Sequence, residues 1–91
     1  MKFTFTHSFE KSIERRADKA RAKEAVDSLI RSFEDQLKPK GLGLKKLRGD
    51  VWEIRAGLGT RVPFAALKGE IRFLLVGSHD EIKKFIKTAA K

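Results

Sequence analysis

Two side chains able to exchange protons, Glu53 and His79, lie in a part of the chain otherwise rich in fixed cations: Lys45, Lys46, Arg48, Arg55, Arg61 and Arg72. Cutting an RNA phosphodiester without a metal requires three things. A base must take the 2′-hydroxyl proton, an acid must protonate the leaving 5′-oxygen, and cations must offset the charge that builds on phosphorus. Glu53 and His79 would supply the acid–base pair, and Arg55 with Arg61 the cations. Each residue also has a plainer reading. Glu53 fits a cross-strand ion pair with Arg61 or Arg72, His79 fits a surface position beside Asp80, and arginines on a one-sided sheet are ordinarily solvated. His7 and His79 have no metal-ligand spacing, and the absence of cysteine removes thiolate ligands, thiol nucleophiles and disulfides. No metal or cofactor is expected.

The elements that would position these residues are legible in the alternation of side chains. From residue 51 to 76, Trp52 and Ile54, then Val62 and Phe64, then Ile71, Phe73 and Leu75 alternate with Glu53, Arg55, Arg61 and Arg72, and glycine-bearing turns separate the runs. Strand side chains repeat with period 2, so three antiparallel strands would gather the apolar set on a core face and leave an open face bearing the arginines. Pro63 cannot donate a ladder hydrogen bond and belongs at a bulge or an unpaired edge position. Upstream, Lys2 to Thr6 alternates as a short strand with Phe3 and Phe5 inward. Thr6 or Ser8 is placed to cap a first helix, and apolar residues at helical spacing run through Phe9 and Ile13 and again from Ala22 to Leu37. This pattern predicts a helical hairpin with a bend near Asp18 to Ala22, ended by Pro39 and the Gly41-Leu42-Gly43 turn. Ser78 and Glu81 have capping-box spacing and open a last amphipathic helix through Ile82, Phe85 and Ile86, with Lys83, Lys84 and Lys87 facing out. The expected fold is α+β: an antiparallel sheet of about four to five strands, the hairpin packed on one face, and a short C-terminal helix.

Ninety-one residues suffice for one compact domain spanning 1–91. A chain of this size buries about 60 to 65% of its unfolded surface in a single core. No stretch approaches a membrane span and the N-terminus lacks the apolar run of a signal peptide, so a cytoplasmic location is expected. The net charge of +9 is unevenly placed. From Ser8 to Leu37 seven basic residues balance seven acidic ones, while the rest of the chain holds fourteen basic and five acidic residues. A neutral helical part beside a basic sheet part is the electrostatic footprint of a surface that meets a polyanion or an acidic protein segment.

The order of strand, helical hairpin, Lys-Leu-Arg-Gly, Trp-Glu-Ile-Arg, Gly-Thr-Arg-Val, an apolar strand ending in Val-Gly, and a His-bearing terminal segment resembles the RelE/ParE superfamily of toxin–antitoxin toxins over essentially the whole chain. The segment from Leu47 to Arg55 is similar to the family's "L-x-G-x-x-W-x-x-R", and Gly59-Thr60-Arg61-Val62 to the segment carrying a further family arginine. The resemblance implies a toxin that is a ribosome-dependent, metal-independent endoribonuclease acting on mRNA, or, as the alternative, a ParE-like inhibitor of DNA gyrase that works by binding. It implies Arg55 and Arg61 at the scissile phosphate, Lys45, Lys46 and Arg48 as the RNA-facing run, and His79 in the C-terminal segment where nuclease members carry a basic or histidine residue; Arg72, on the same arginine-bearing face, is expected to join the RNA-binding set. The implied partners are mRNA, the ribosome and a cognate antitoxin whose acidic segment covers the basic face. Glu53 departs from the RelE pattern, which has a lysine there, and Phe85 lies near the position of a tyrosine.

Overall fold

The computed structural model of the chain describes residues 1–38 and 41–89. Strand β1 (Lys2–Phe5) leads into helices α1 (His7–Glu14) and α2 (Lys19–Glu34); strands β2 (Lys45–Arg48), β3 (Val51–Arg55), β4 (Arg61–Leu67) and β5 (Glu70–Phe73) follow, then helix α3 (His79–Ala89). The five strands form one sheet in the order β1-β5-β4-β3-β2.

Side-chain alternation sets the register. Trp52 stands opposite Phe64, Ile54 opposite Val62, Phe64 opposite Phe73 and Ala66 opposite Ile71, so the apolar residues of three strands share one face. Helices α1 and α2 cover that face with Phe9, Ala22, Ala25, Val26 and Leu29. Phe73 is the centre of an aromatic cluster, with ring centroids of Phe5, Phe9 and Phe64 at 5.2, 5.9 and 6.0 Å. Trp52 is half-buried rather than enclosed, because it lies near the β2 edge of this face.

The sheet is antiparallel from β2 to β5, but β1 pairs with β5 in parallel, Phe3 opposite Ile71 and Phe5 opposite Phe73. A parallel neighbour needs a long crossover rather than a tight turn, and here most of the chain supplies it. Pro63 lies in a central strand, at a bulge. On the β5 side the pairs Phe64 with Phe73 and Arg61 with Gly77 bracket three residues, Leu74 to Val76, opposite two, Val62 and Pro63. Pro63 contributes its carbonyl to Leu74 N–H at 3.0 Å, and its missing donor falls where the ladder is irregular.

Thr6 caps α1, its hydroxyl accepting from Phe9 N–H at 3.1 Å. The bend between the helices comes earlier than the pattern predicts, over residues 15–18, and Ala17 and Ala20 are exposed. Helix α2 also stops early. Gln36 takes φ 57, and Leu37 N–H donates to Ser32 O at 2.8 Å while Gln36 N–H donates to Phe33 O at 3.3 Å. These are the paired bonds of a Schellman ending with glutamine at the left-handed position. Leu37, expected on the buried stripe, is therefore 66% exposed. The expected helix stop at Pro39 lies outside the described residues.

The bend is tied to the sheet by charge. Asp18 accepts from the hydroxyl of Thr60, which is buried in the β3–β4 loop, and from Arg16 Nε at 2.9 Å; Arg16 Nη2 donates to the same Thr60 hydroxyl at 2.8 Å. The Thr60 hydroxyl, and after it Arg16, holds the Asp18 carboxyl below its ordinary value.

Helix α3 packs on the other side of the sheet, against β4. The arginine-bearing face is consequently not open, as the alternation alone suggests. The stripe of α3 needs cover, α1 and α2 already occupy the core face, and Ile82 is 3% exposed in its place.

Leu29 is fully enclosed between α2 and the sheet, so Leu29→Ala should lower stability by about 2–5 kcal/mol, read from urea unfolding. Asp18 contributes stability that is fully present above its unfolded-state pKa, near 3.8, and lost as pH falls through its lower folded-state value. Acid titration of Asp18→Asn should lack that increment, while a titration superimposable on the parent's would remove Asp18 from the account.

Candidate active site

A groove of about 560 Å³ runs between α3 and the β2–β3 edge of the sheet. Arg48 and Glu53 form one wall, His79, Lys83 and Lys87 the other, and Leu47, Ile82 and Ile86 its apolar lining. The walls follow from two periodicities. Glu53 shares its face with Pro63 and Lys45, its direct neighbours across the ladder, and His79, Lys83 and Lys87 recur every four residues on one side of α3. A register irregularity between Lys46 and Arg48 leaves Leu47 unpaired and turns it into the groove with Arg48.

Glu53 is 2% exposed, and its Oε2 accepts from Arg61 Nη1 at 2.8 Å. The carboxylate is buried and the pair part-buried, not the solvated cross-strand pair expected of an open face, because it lies on the side of the sheet that α3 covers. Arg61 stands directly opposite Arg55. Two cations facing each other across a ladder repel, and Arg61 resolves this by turning to Glu53. The stem of Arg55 runs beside Gly43, where an added Cβ would lie 2.9 Å from Arg55 Cδ; Gly43 has φ 60, so glycine is required there twice over. Arg55 and Arg61 together line a cavity of about 180 Å³ with Gly57, Leu58 and Thr60.

His79 is exposed at the first turn of α3. The capping box fixes that turn: Ser78 N–H donates to Glu81 Oε1 at 2.9 Å and Glu81 N–H donates to Ser78 Oγ at 3.2 Å. The Ser78 backbone N–H, and after it the Ser78 hydroxyl, hold the Glu81 carboxyl below its ordinary value, with Arg16 adding to the effect.

Of the residues singled out in the sequence, the groove gathers Arg48, Glu53 and His79; Arg61 joins through its bond to Glu53, and Arg55 adjoins Arg61. Lys45 stands opposite Glu53 on the edge strand. Lys46 and Arg72 are elsewhere. Lys46 alternates to the opposite face, its Nζ 5.9 Å from the Trp52 ring centroid, and Arg72 Nε donates to Glu70 Oε2 at 3.0 Å. Glu70 also accepts from Thr4 at 2.7 Å, and Thr4 and then Arg72 hold its carboxyl below the ordinary value. Lys83 and Lys87, expected to face away, line the groove instead; their spacing of four from His79 is the signal that places them there. Among the described residues no group of three or more His, Asp or Glu gathers as a metal-holding set.

The architecture is the fold seen in RelE, YafQ and YoeB/ParE toxins. The chain superposes on the RelB-RelE antitoxin-toxin complex from Methanococcus jannaschii with a TM-score of 0.69 at 18% identity, covering 90% of this chain and 96% of that one. It superposes on a chain of the E. coli DinJ-YafQ complex with a TM-score of 0.70 at 15% identity, covering 87% of this chain and 93% of that one. The YoeB/ParE toxin from Agrobacterium tumefaciens gives 0.63 at 26% identity, covering 87% and 99%. No family model and no curated protein sequence matches the chain. Likeness at this level establishes the fold and leaves the activity to the site itself.

Removing Arg61 strands the Glu53 charge under α3, so Arg61→Ala should cost on the order of 3 kcal/mol, much of it recovered when Glu53→Gln is added. A double-mutant cycle in urea measures this; a loss below about 1 kcal/mol would mean that water reaches the pair as it does at a surface.

Proposed function

We propose that the protein is the toxin of a toxin–antitoxin pair and cleaves mRNA on the ribosome by metal-independent general acid–base chemistry. The observation that supports this reading most is the meeting of Glu53 and His79 in one groove edged by Arg48, Lys83 and Lys87, with Arg61 bound to Glu53 at 2.8 Å. Glu53 is the base for the 2′-hydroxyl. Arg61 occupies one carboxylate oxygen and orients the other, and with Arg55 it faces the phosphate as charge builds. His79, exposed at the groove's mouth, protonates the leaving 5′-oxygen. Arg48, Lys83 and Lys87 hold the RNA backbone. The site works where mRNA is translated, in the cytoplasm. Among the described residues no helix is long and apolar enough to cross a membrane.

The silencing partner is an antitoxin with an acidic segment that covers this basic side. The RelB-RelE and DinJ-YafQ structures are toxin–antitoxin complexes. A binding-only toxin of gyrase type is the second reading, and the commitment of a 2% exposed Glu53 to Arg61 is the feature that favours it.

His79→Ala and Glu53→Gln should each slow single-turnover cleavage of ribosome-bound mRNA by roughly a hundredfold or more, with ribosome binding retained. Intact mRNA during growth arrest, with toxicity unaffected by His79→Ala, would replace this reading by the second. Association with the antitoxin should weaken as salt is raised, since exposed charges are screened beyond about 8 Å at physiological ionic strength. Titration calorimetry at two salt concentrations measures it.

A further inference from the structure

We infer that Arg16, outside the groove, is a positioning residue for His79. Its guanidinium uses all three nitrogens on three different parts of the fold. Nε donates to Asp18 in the bend between α1 and α2, Nη2 donates to Thr60 in the β3–β4 loop, and Nη1 lies 3.5 Å from Glu81 Oε1 in the first turn of α3. Thr60 immediately precedes Arg61, and Glu81 is two residues past His79. One side chain therefore touches neighbours of two groups in the cleavage reading, Arg61 at the phosphate and His79 at the leaving oxygen.

The arrangement has the properties of a spacer. Thr60 is buried, and Asp18 receives both the Thr60 hydroxyl and Arg16, so the sheet side of the link is rigid. On the helix side the same Glu81 oxygen accepts from Ser78 N–H, so Arg16 reads the capping box itself and not a free-swinging carboxylate. The Arg16 side chain is 23% exposed, whereas that of Glu81 is 61% exposed. An ion pair this open contributes little to global stability. What it fixes is the offset and rotation of the first turn of α3, from which His79 projects into a groove whose other wall is held by Arg61. Lysine cannot replace it, since a point charge on a flexible stem cannot fork to three acceptors on separate elements.

The inference rests on the cleavage reading and is tested by crossing Arg16→Ala with His79→Ala in single-turnover cleavage of ribosome-bound mRNA. Arg16→Ala alone should slow cleavage about tenfold to a hundredfold with ribosome affinity unchanged, as misplacement of a reacting group does. In the His79→Ala background it should cost nothing further, because there is no imidazole left to misplace. Arg16→Lys should not rescue, and Glu81→Gln, which keeps the capping oxygen, should show a smaller loss that vanishes in the Arg16→Ala background. Equal losses in both His79 backgrounds, or full activity of Arg16→Lys, would overturn the assignment. A second measurement separates its failure from failure of the cleavage reading. Hydrogen exchange should quicken at the α3 amides of Ile82 to Ile86 in Arg16→Ala while the α2 amides near Leu29 stay protected, whether or not the parent cuts RNA. Unchanged α3 exchange would overturn the inference even if the protein proves to be a nuclease, and a parent that cuts no RNA yet shows the quickened exchange would leave Arg16 as the positioner of α3 with the cleavage reading discarded.

Discussion

A carboxylate under a helix is the constraint from which the rest follows. Glu53 lies on the sheet face that α3 must cover, and taking a charge out of water is costly unless an opposite charge goes with it. Arg61, two ladder positions away on the adjacent strand, meets that requirement. The pair lets α3 settle over β4 with Ile82 enclosed, and the settled helix brings His79, Lys83 and Lys87 to a wall that would otherwise be solvent. The pair also turns Arg61 away from Arg55, so two like charges in direct register become one committed and one outward-facing cation. Packing and the proposed chemistry share the same two side chains.

Much of this was legible in the sequence, and the reasons are local. Period-2 alternation placed Trp52, Ile54, Val62, Phe64, Ile71 and Phe73 on one face, since a one-residue slip would exchange core and solvent for every one of them. Thr6 and the Ser78–Glu81 box announced their helix starts because capping is chemistry between near neighbours. The misreadings concern choices that local chemistry does not record. The end of α2 rests on a glutamine in the left-handed region, where composition points to glycine. The parallel pairing of β1 with β5 joins residues almost seventy positions apart. The candidate site was legible in its residue types and less so in its grouping. Nothing near Glu53 reveals that a helix thirty residues later will roof it, and Lys46 reads as a sibling of Lys45 until alternation sends it to Trp52. The identical strand logic that grouped the core could have separated these two lysines.

The uneven charge of the chain acquires a structural meaning. The helical hairpin, neutral in sum, spends its ionic contacts internally: Arg16 and Asp18 hold the bend to Thr60 and reach α3 through Glu81. The sheet and α3 carry the surplus, and the part of it around the groove faces a concave surface with apolar lining, where a polyanion can approach several cations at once. The division is one of labour within a single core, with one side stabilising and, under the proposed function, the other receiving.

The edge strand β2 shows what else such a surplus does. A sheet ends where a strand leaves its backbone donors and acceptors unpaired, and a bare edge of this kind invites a second copy of the same chain to add its own strand. Strand β2 is only four residues long, is broken by a bulge at Leu47, and bears Lys45, Lys46 and Arg48. Another copy would bring the same cations into register with these, and its approach is repelled. A short, bulged and cationic edge disfavours strand addition by a like-charged copy, while the same sign of charge attracts an anionic segment.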